Sequence, residues 1–193
     1  MSEGRKLTIL VDMDDTIEQL LDAWVNYINK KYNLDVKLDD IHEFDLSVAF
    51  PTLTIEQIRD VLMEENLWKT VKPMPNAGTV MQMLIDEGHD IYIVTNSYYK
   101  TLPMKLDLVL FKYFPFINCR NVIIASKKQM IIGDVLIDDY QNNLIGGNYE
   151  KILITAPHNR DFVSDDVIRV DNWMEIYNEI QKIADSDRKI CDG

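Results

Sequence analysis

The sequence predicts a doubly wound α/β domain whose mostly parallel sheet carries a small helical insertion after its first strand. Three observations lead there. From residue 76 onward, short β-branched-rich apolar runs alternate with segments of helical periodicity, the pattern of a parallel sheet with helical crossovers. Residues 17–75 separate the first apolar run from the second, far more chain than a plain crossover needs. Three apolar runs end in polar residues: Asp12 and Asp14, then Thr95, Asn96 and Ser97, then Asp138 and Asp139.

In chain order, "LTILV" (7–11) reads as a strand buried on both faces. Leu20, Leu21, Trp24, Val25 and Ile28 recur at helical spacing and predict a helix over 17–32. Residues 33–53 are irregular, with Asp39, Asp40 and Pro51 as punctuation, and "TIEQIRDVLMEEN" predicts a helix over 54–66. Pro73 and Pro75 close this section. The chain therefore divides into a Rossmann-like core, residues 1–16 and 76–193, and a small helical cap, residues 17–75. In the core, "AGTVMQMLIDE" is a helix stopped by Gly88. Strand runs follow at 91–94, 121–124, 134–139, 151–155 and 167–170, with a helix near 103–114. Trp173, Ile176, Tyr177, Ile180 and Ile183 share one face of a C-terminal helix.

With 193 residues, 47% hydrophobic and 27% charged, the chain suits one globular unit with a proper core. Twenty basic against thirty-two acidic residues give a net charge of −12, which argues against polymeric nucleic acid or a membrane surface as partner. A small phosphorylated ligand fits, provided a metal or a local lysine neutralises it. Cys119 and Cys191 match no zinc or redox spacing and read as free thiols in a reducing compartment. The apolar run behind Arg5 and Lys6 is too short for a signal-peptide core, and no stretch approaches a membrane span. A cytoplasmic protein is expected.

The polar residues at the strand ends also have ordinary structural readings. Asp15 and Thr16 are candidates to cap the following helix, Thr16 with Gln19 fitting the capping-box pattern. Asp12 and Asp14 sit too early to cap and too near a buried run to be merely solvated. Singly, "DMDDT", "TNS" and "IDD" are weak signals. Together they are not, because the carboxyl ends of parallel strands share the edge where ligands bind. His42, His89 and His158 lack metal-ligand spacing, "GGN" at 146–148 reads as a turn, and Trp24 and Trp173 fall on apolar helical faces as core.

Chemistry explains the clustered acids. Carboxylates crowd together when a divalent cation sits among them, and oxygen-only ligands favour Mg²⁺. One carboxylate can attack a phosphoryl group, and a second can protonate the leaving oxygen and later activate water. Charge on the transferred oxygens then needs a cation and hydroxyl or amide donors. Asp12, Asp14, Thr95, a lysine and the "IDD" acids supply such a set.

At this point the sequence resembles the haloacid dehalogenase-like superfamily of Asp-nucleophile phosphatases. "DMDDT", "VTNS", the lysine of "ASKKQMIIGD" and "DVLIDD" resemble its four motifs in order. More narrowly, "DMD", "ENLWKTVKPMPNAG", "DVLIDD" and "ILITAPHNR" resemble the 5′(3′)-deoxyribonucleotidase family, over about Leu7 to Ile183. The resemblance implies Asp12 as nucleophile and Asp14 as acid/base. It implies Mg²⁺ held by the Asp12 carboxylate, the Asp14 backbone carbonyl and Asp139, with Asp138 behind them. It assigns Thr95 and Asn96 to the phosphoryl oxygens. Family spacing to "DVLIDD" selects Lys128 over Lys127 as the third-motif cation. Better-known members have Gly where Asp15 stands and an apolar-to-acidic pair at Glu18 and Gln19, a departure that bears on substrate identity. Trp68 alone keeps the aromatic character of a cap segment that contacts the nucleotide in the family.

The expected activity is a Mg²⁺-dependent phosphomonoesterase acting on nucleoside monophosphates. The alternatives are a phosphatase for another small metabolite, such as a sugar phosphate, and a catalytically silent binding module.

Overall fold

A computed structural model describes residues 5–186. Six strands form one sheet: β1 (Thr8–Val11), β2 (Asp90–Thr95), β3 (Val122–Ile124), β4 (Val135–Asp138), β5 (Glu150–Ile154) and β6 (Ile168–Val170). Their spatial order is β3-β2-β1-β4-β5-β6, and every pairing is parallel. The chain runs outward from β1 through β2 to β3, then returns to the other side of β1 for β4. That reversal opens a crevice at the carboxyl ends of β1 and β4.

Strand β1 is buried on both faces, as its unbroken apolar run requires. Ile9 and Val11 enter the larger apolar cluster, while Leu10 joins Val94, Leu136 and Leu153 on the opposite face. Against the larger cluster pack helices α4 (Ala77–Asp86) and α8 (Trp173–Ser186). Gly88 ends α4 at φ +91°, a conformation that glycine adopts without the Cβ penalty. Trp173 is core as predicted, its indole N–H donating to the Thr16 carbonyl at 2.9 Å.

Between β1 and α4 lie α1 (Leu20–Tyr32), α2 (Ile55–Asp60) and α3 (Glu65–Trp68). The two connections to this segment are fastened to each other. Gln19 N–H donates to the Lys72 carbonyl at 2.9 Å and Met74 N–H to the Ile17 carbonyl at 2.8 Å. Because Ile17 and Glu18 are used in this junction, α1 starts at Leu20, three residues later than its periodicity suggests.

The Thr16–Gln19 capping box does not form. The Gln19 side chain donates instead to the Pro73 carbonyl, and Asp15 accepts the Leu21 N–H at 2.9 Å. Asp15 has φ 51°, in the left-handed region. A glycine at this position would avoid that cost, whereas here the hydrogen bond to the first turn of α1 offsets it.

The single helix expected over 54–66 is broken into α2, a 3-10 turn at Val61–Met63, and α3. An uninterrupted helix that buried Ile58 and Val61 would turn Glu65 inward and Leu67 outward. Extended backbone at Glu64 resets the phase, so Leu67 and Trp68 are buried and Glu65 is exposed. The helix expected near 103–114 is α5 (Leu102–Lys105), a π-helical turn at Leu106–Leu110 and α6 (Phe111–Tyr113). One further helix was not foreseen, α7 (Gln141–Leu144), directly after the β4 acids. Among the described residues no helix is long and apolar enough to cross a membrane. Cys119 is a free, exposed thiol, and Cys191 lies outside the described residues.

Candidate active site

Strands β2, β1 and β4 are adjacent, so the three polar strand ends meet at one edge. They form the floor of a cavity of about 900 Å³, within the usual range for small-molecule sites. Asp12, Asp14, Asn96, Lys128 and Asp139 all line it. Its far wall comes from residues 17–75 and is mixed: Leu21, Trp24, Ile58, Leu62 and Trp68 form an apolar part, and Glu43, Asp45, Arg59 and Asp60 a charged one.

Lys128 lies at 1% exposure between two acids, donating to Asp12 Oδ1 and, at 2.6 Å, to Asp138 Oδ2. Burial alone would lower its pKa, but the two ion pairs outweigh burial and raise it above the ordinary lysine range. Lys127, one residue earlier, is exposed. Burial holds Asp12 well above the usual carboxylate range; Lys128 opposes this, while Asp138, Asp139 and Asp14 add repulsion. Burial likewise raises Asp139, and the neighbouring Asp138 adds to it.

Two adjacent aspartates have different surroundings. Asp138 is wholly buried and accepts from Lys128, the Tyr140 N–H at 2.9 Å and the Asn143 amide at 3.0 Å. Asp139 faces the cavity, with His158 Nε2 at 3.1 Å from its carboxylate. His158 was unremarkable in sequence. Its ring also meets Phe44 edge-on at 5.4 Å, and Phe44 stacks on Tyr140 at 4.2 Å. An irregular stretch of the insertion therefore meets the core beside Asp139.

Asp12, Asp138 and Asp139 each offer a carboxylate oxygen, all within 4.8 Å of one another. The donor set is oxygen only, and one lysine is shared between two of the three acids. Such a cluster fits a hard divalent cation, which would relieve the repulsion that raises Asp12 and Asp139.

Thr95 is fully enclosed, and its hydroxyl accepts from Lys105 Nζ at 2.6 Å. The cavity wall beside it is made by Asn96 and Ser97. Lys105 was missed in the sequence. It is 1% exposed and also donates to Asp14 Oδ2 at 2.6 Å and Ser97 Oγ at 2.9 Å. Its signal was spacing: Thr101, Lys105 and Val109 form a buried stripe at i, i+4 and i+8, with a lysine on the inward face. Glu18 is buried against Asp14; burial raises its pKa strongly, and the neighbouring Asp14 adds to it.

The tryptophans divide differently from the expectation. Trp24 is half-buried on the cavity wall, with Nε1 donating to the Ile58 carbonyl, rather than fully in the core. Trp68 touches the cavity but is 2% exposed, its indole N–H fixed on the Leu62 carbonyl at 2.8 Å. So enclosed a ring offers an edge of wall, not an open stacking face. Trp68→Ala is therefore expected to cost about 3–5 kcal/mol of stability. Urea unfolding measures that loss, and an unchanged midpoint would contradict this packing role.

A parallel sheet in this order, with an insertion after β1, is the fold of haloacid dehalogenase-like hydrolases. A haloacid dehalogenase-like hydrolase from Streptococcus pneumoniae superposes with a TM-score of 0.63 at 17% identity, covering 91% of this chain and 99% of that one. A hydrolase of the same type from Bacillus subtilis, described as bound to magnesium, gives 0.58 at 15% identity, over 92% and 100% of the chains. The chain belongs to the "5' nucleotidase, deoxy (Pyrimidine), cytosolic type C" family, whose sequence profile matches residues 5–185. A 5'(3')-deoxyribonucleotidase of Bacillus subtilis is 33% identical over 177 residues, 91% of this chain and 99% of that protein. The protein is a phosphoric monoester hydrolase.

Proposed function

We propose that this chain is a Mg²⁺-dependent nucleotidase that removes phosphate from deoxyribonucleoside monophosphates through an aspartyl-phosphate on Asp12. The observation that carries the reading is the meeting of Asp12, Asp14, Lys128 and Asp139 on the floor of one cavity whose far wall has an apolar part. The floor suits a phosphoryl group, and the apolar part of the wall suits a nucleobase. The family relationship and the named activity of the Bacillus subtilis relative support the same substrate class.

In this mechanism the Asp12 carboxylate attacks phosphorus, and the leaving oxygen takes a proton from Asp14. Asp14 then takes a proton from water as that water attacks the aspartyl-phosphate, releasing phosphate and restoring Asp12. Lys128 has two acceptors among its three protons, which leaves one for a phosphoryl oxygen. Asn96 and Ser97 offer donors on the opposite side. Asp12, Asp139 and the Asp14 carbonyl would hold Mg²⁺, with Asp138 keeping Lys128 and the β4 end in place. The cation supplies charge neutralisation for the phosphoryl oxygens. The exposed free thiol of Cys119 suits a cytoplasmic setting.

The test is a phosphate-release screen over deoxyribonucleotides, ribonucleotides and sugar phosphates, with Mg²⁺ and after chelation. Deoxyribonucleoside monophosphates are expected to give the highest kcat/KM, and chelation to abolish release. Preference for a sugar phosphate, or full activity without divalent metal, would overturn the assignment.

A further inference from the structure

Lys105 differs from Lys128 in how its charge is used. An ammonium carries three protons. Those of Lys105 have three acceptors, Asp14 Oδ2, Thr95 Oγ1 and Ser97 Oγ, so none is left for substrate. The residue is buried on α5, where the π-helical turn begins, and a π turn within a helix frequently marks a functional site.

We infer that Lys105 is a positioning residue: it holds Asp14 in the orientation that delivers a proton to the leaving oxygen. The inference rests on the aspartyl-phosphate reading above. Asp14 Oδ1 is buried, yet the Asp14 side chain is 31% exposed. The cavity-facing oxygen is therefore Oδ2, the one that Lys105 holds. On its inner side Asp14 meets the buried carboxyl of Glu18, and its outer edge is held by the ion pair to Lys105.

The test is Lys105→Met, which keeps the length of the side chain and removes its donors, assayed on two substrates. The kcat/KM for a deoxyribonucleoside monophosphate, whose alkoxide leaving group needs a proton, is expected to fall roughly 10²-fold or more. An aryl phosphate with a good leaving group needs little protonation and should lose no more than about tenfold. Inhibition by inorganic phosphate should stay within about threefold of wild type, because Lys105 does not touch the phosphoryl group. Equal losses on both substrates, or phosphate inhibition weakened in step with activity, would overturn the inference.

The double variant Asp14→Asn/Lys105→Met adds an independent check. If Lys105 acts through Asp14, its removal in that background costs less than about tenfold, and a fully additive loss counts against it. Should Lys105→Met fail to fold, Lys105→Leu also removes every donor and carries the same substrate comparison. A wild type that hydrolyses no phosphate monoester would overturn the nucleotidase reading itself, before any variant is compared.

Discussion

Asp12→Asn is expected to leave no measurable phosphate release from either a deoxyribonucleotide or an aryl phosphate, while the chain melts close to wild type. An amide of nearly the same volume cannot attack phosphorus, so the nucleophile is lost without a cavity. A carboxylate ligand of the proposed cation goes with it. Stability changes little because two effects oppose each other. The ion pair from Lys128 to Asp12 is lost, but so is a buried charge that Asp138, Asp139 and Asp14 all repel. Lys128 keeps Asp138 as its partner. Phosphate release by the purified variant, beside a melting curve, checks both halves. Turnover above about 1% of wild type would place the nucleophile elsewhere.

Lys128→Met is expected to cost both activity and stability, and Lys127→Met neither. Loss of one preorganised charge contact at a phosphoryl site typically removes about 10²–10³-fold in kcat. The same change strips the partner from Asp12 and Asp138, two buried carboxylates, and breaking a buried ion pair from one side costs roughly 3–5 kcal/mol. Lys127 is exposed, so its removal disturbs neither the acids nor the cavity. Kinetics and urea unfolding of the two variants side by side give the comparison. The reverse ranking would mean that the third-motif register is displaced by one residue.

Much of this architecture was legible in the sequence for definite reasons. The central apolar runs are short, buried on both faces of the parallel sheet and rich in β-branched residues, so strands such as 7–11 and 134–139 announce themselves. The floor of the cavity was legible too. Asp12, Asp14 and Asp139 follow directly on buried strands, and parallel strands bring their carboxyl ends to one edge. What escaped depends on tertiary contact. The phase reset at Glu64 serves the burial of Leu67 and Trp68 against the rest of the fold, and no local pattern encodes it. Lys105 stands on a helix near an ordinary proline, and its importance appears only when α5 lies over Asp14 and Thr95. His158 and Phe44 come from loops distant in sequence that meet beside Asp139. Asp15 shows a local competition: two cap candidates were readable, and the left-handed turn at φ 51° selected the carboxylate over Thr16.

The central claim is that phosphate passes through a covalent bond to Asp12. An acid-quenched single turnover with phosphate-labelled deoxyribonucleoside monophosphate tests it most directly. The label is expected on the peptide that contains Asp12, lost on treatment with hydroxylamine as an acyl phosphate requires, and absent from Asp12→Asn. Label on a serine or histidine, or on the Asp12→Asn chain, would contradict the account.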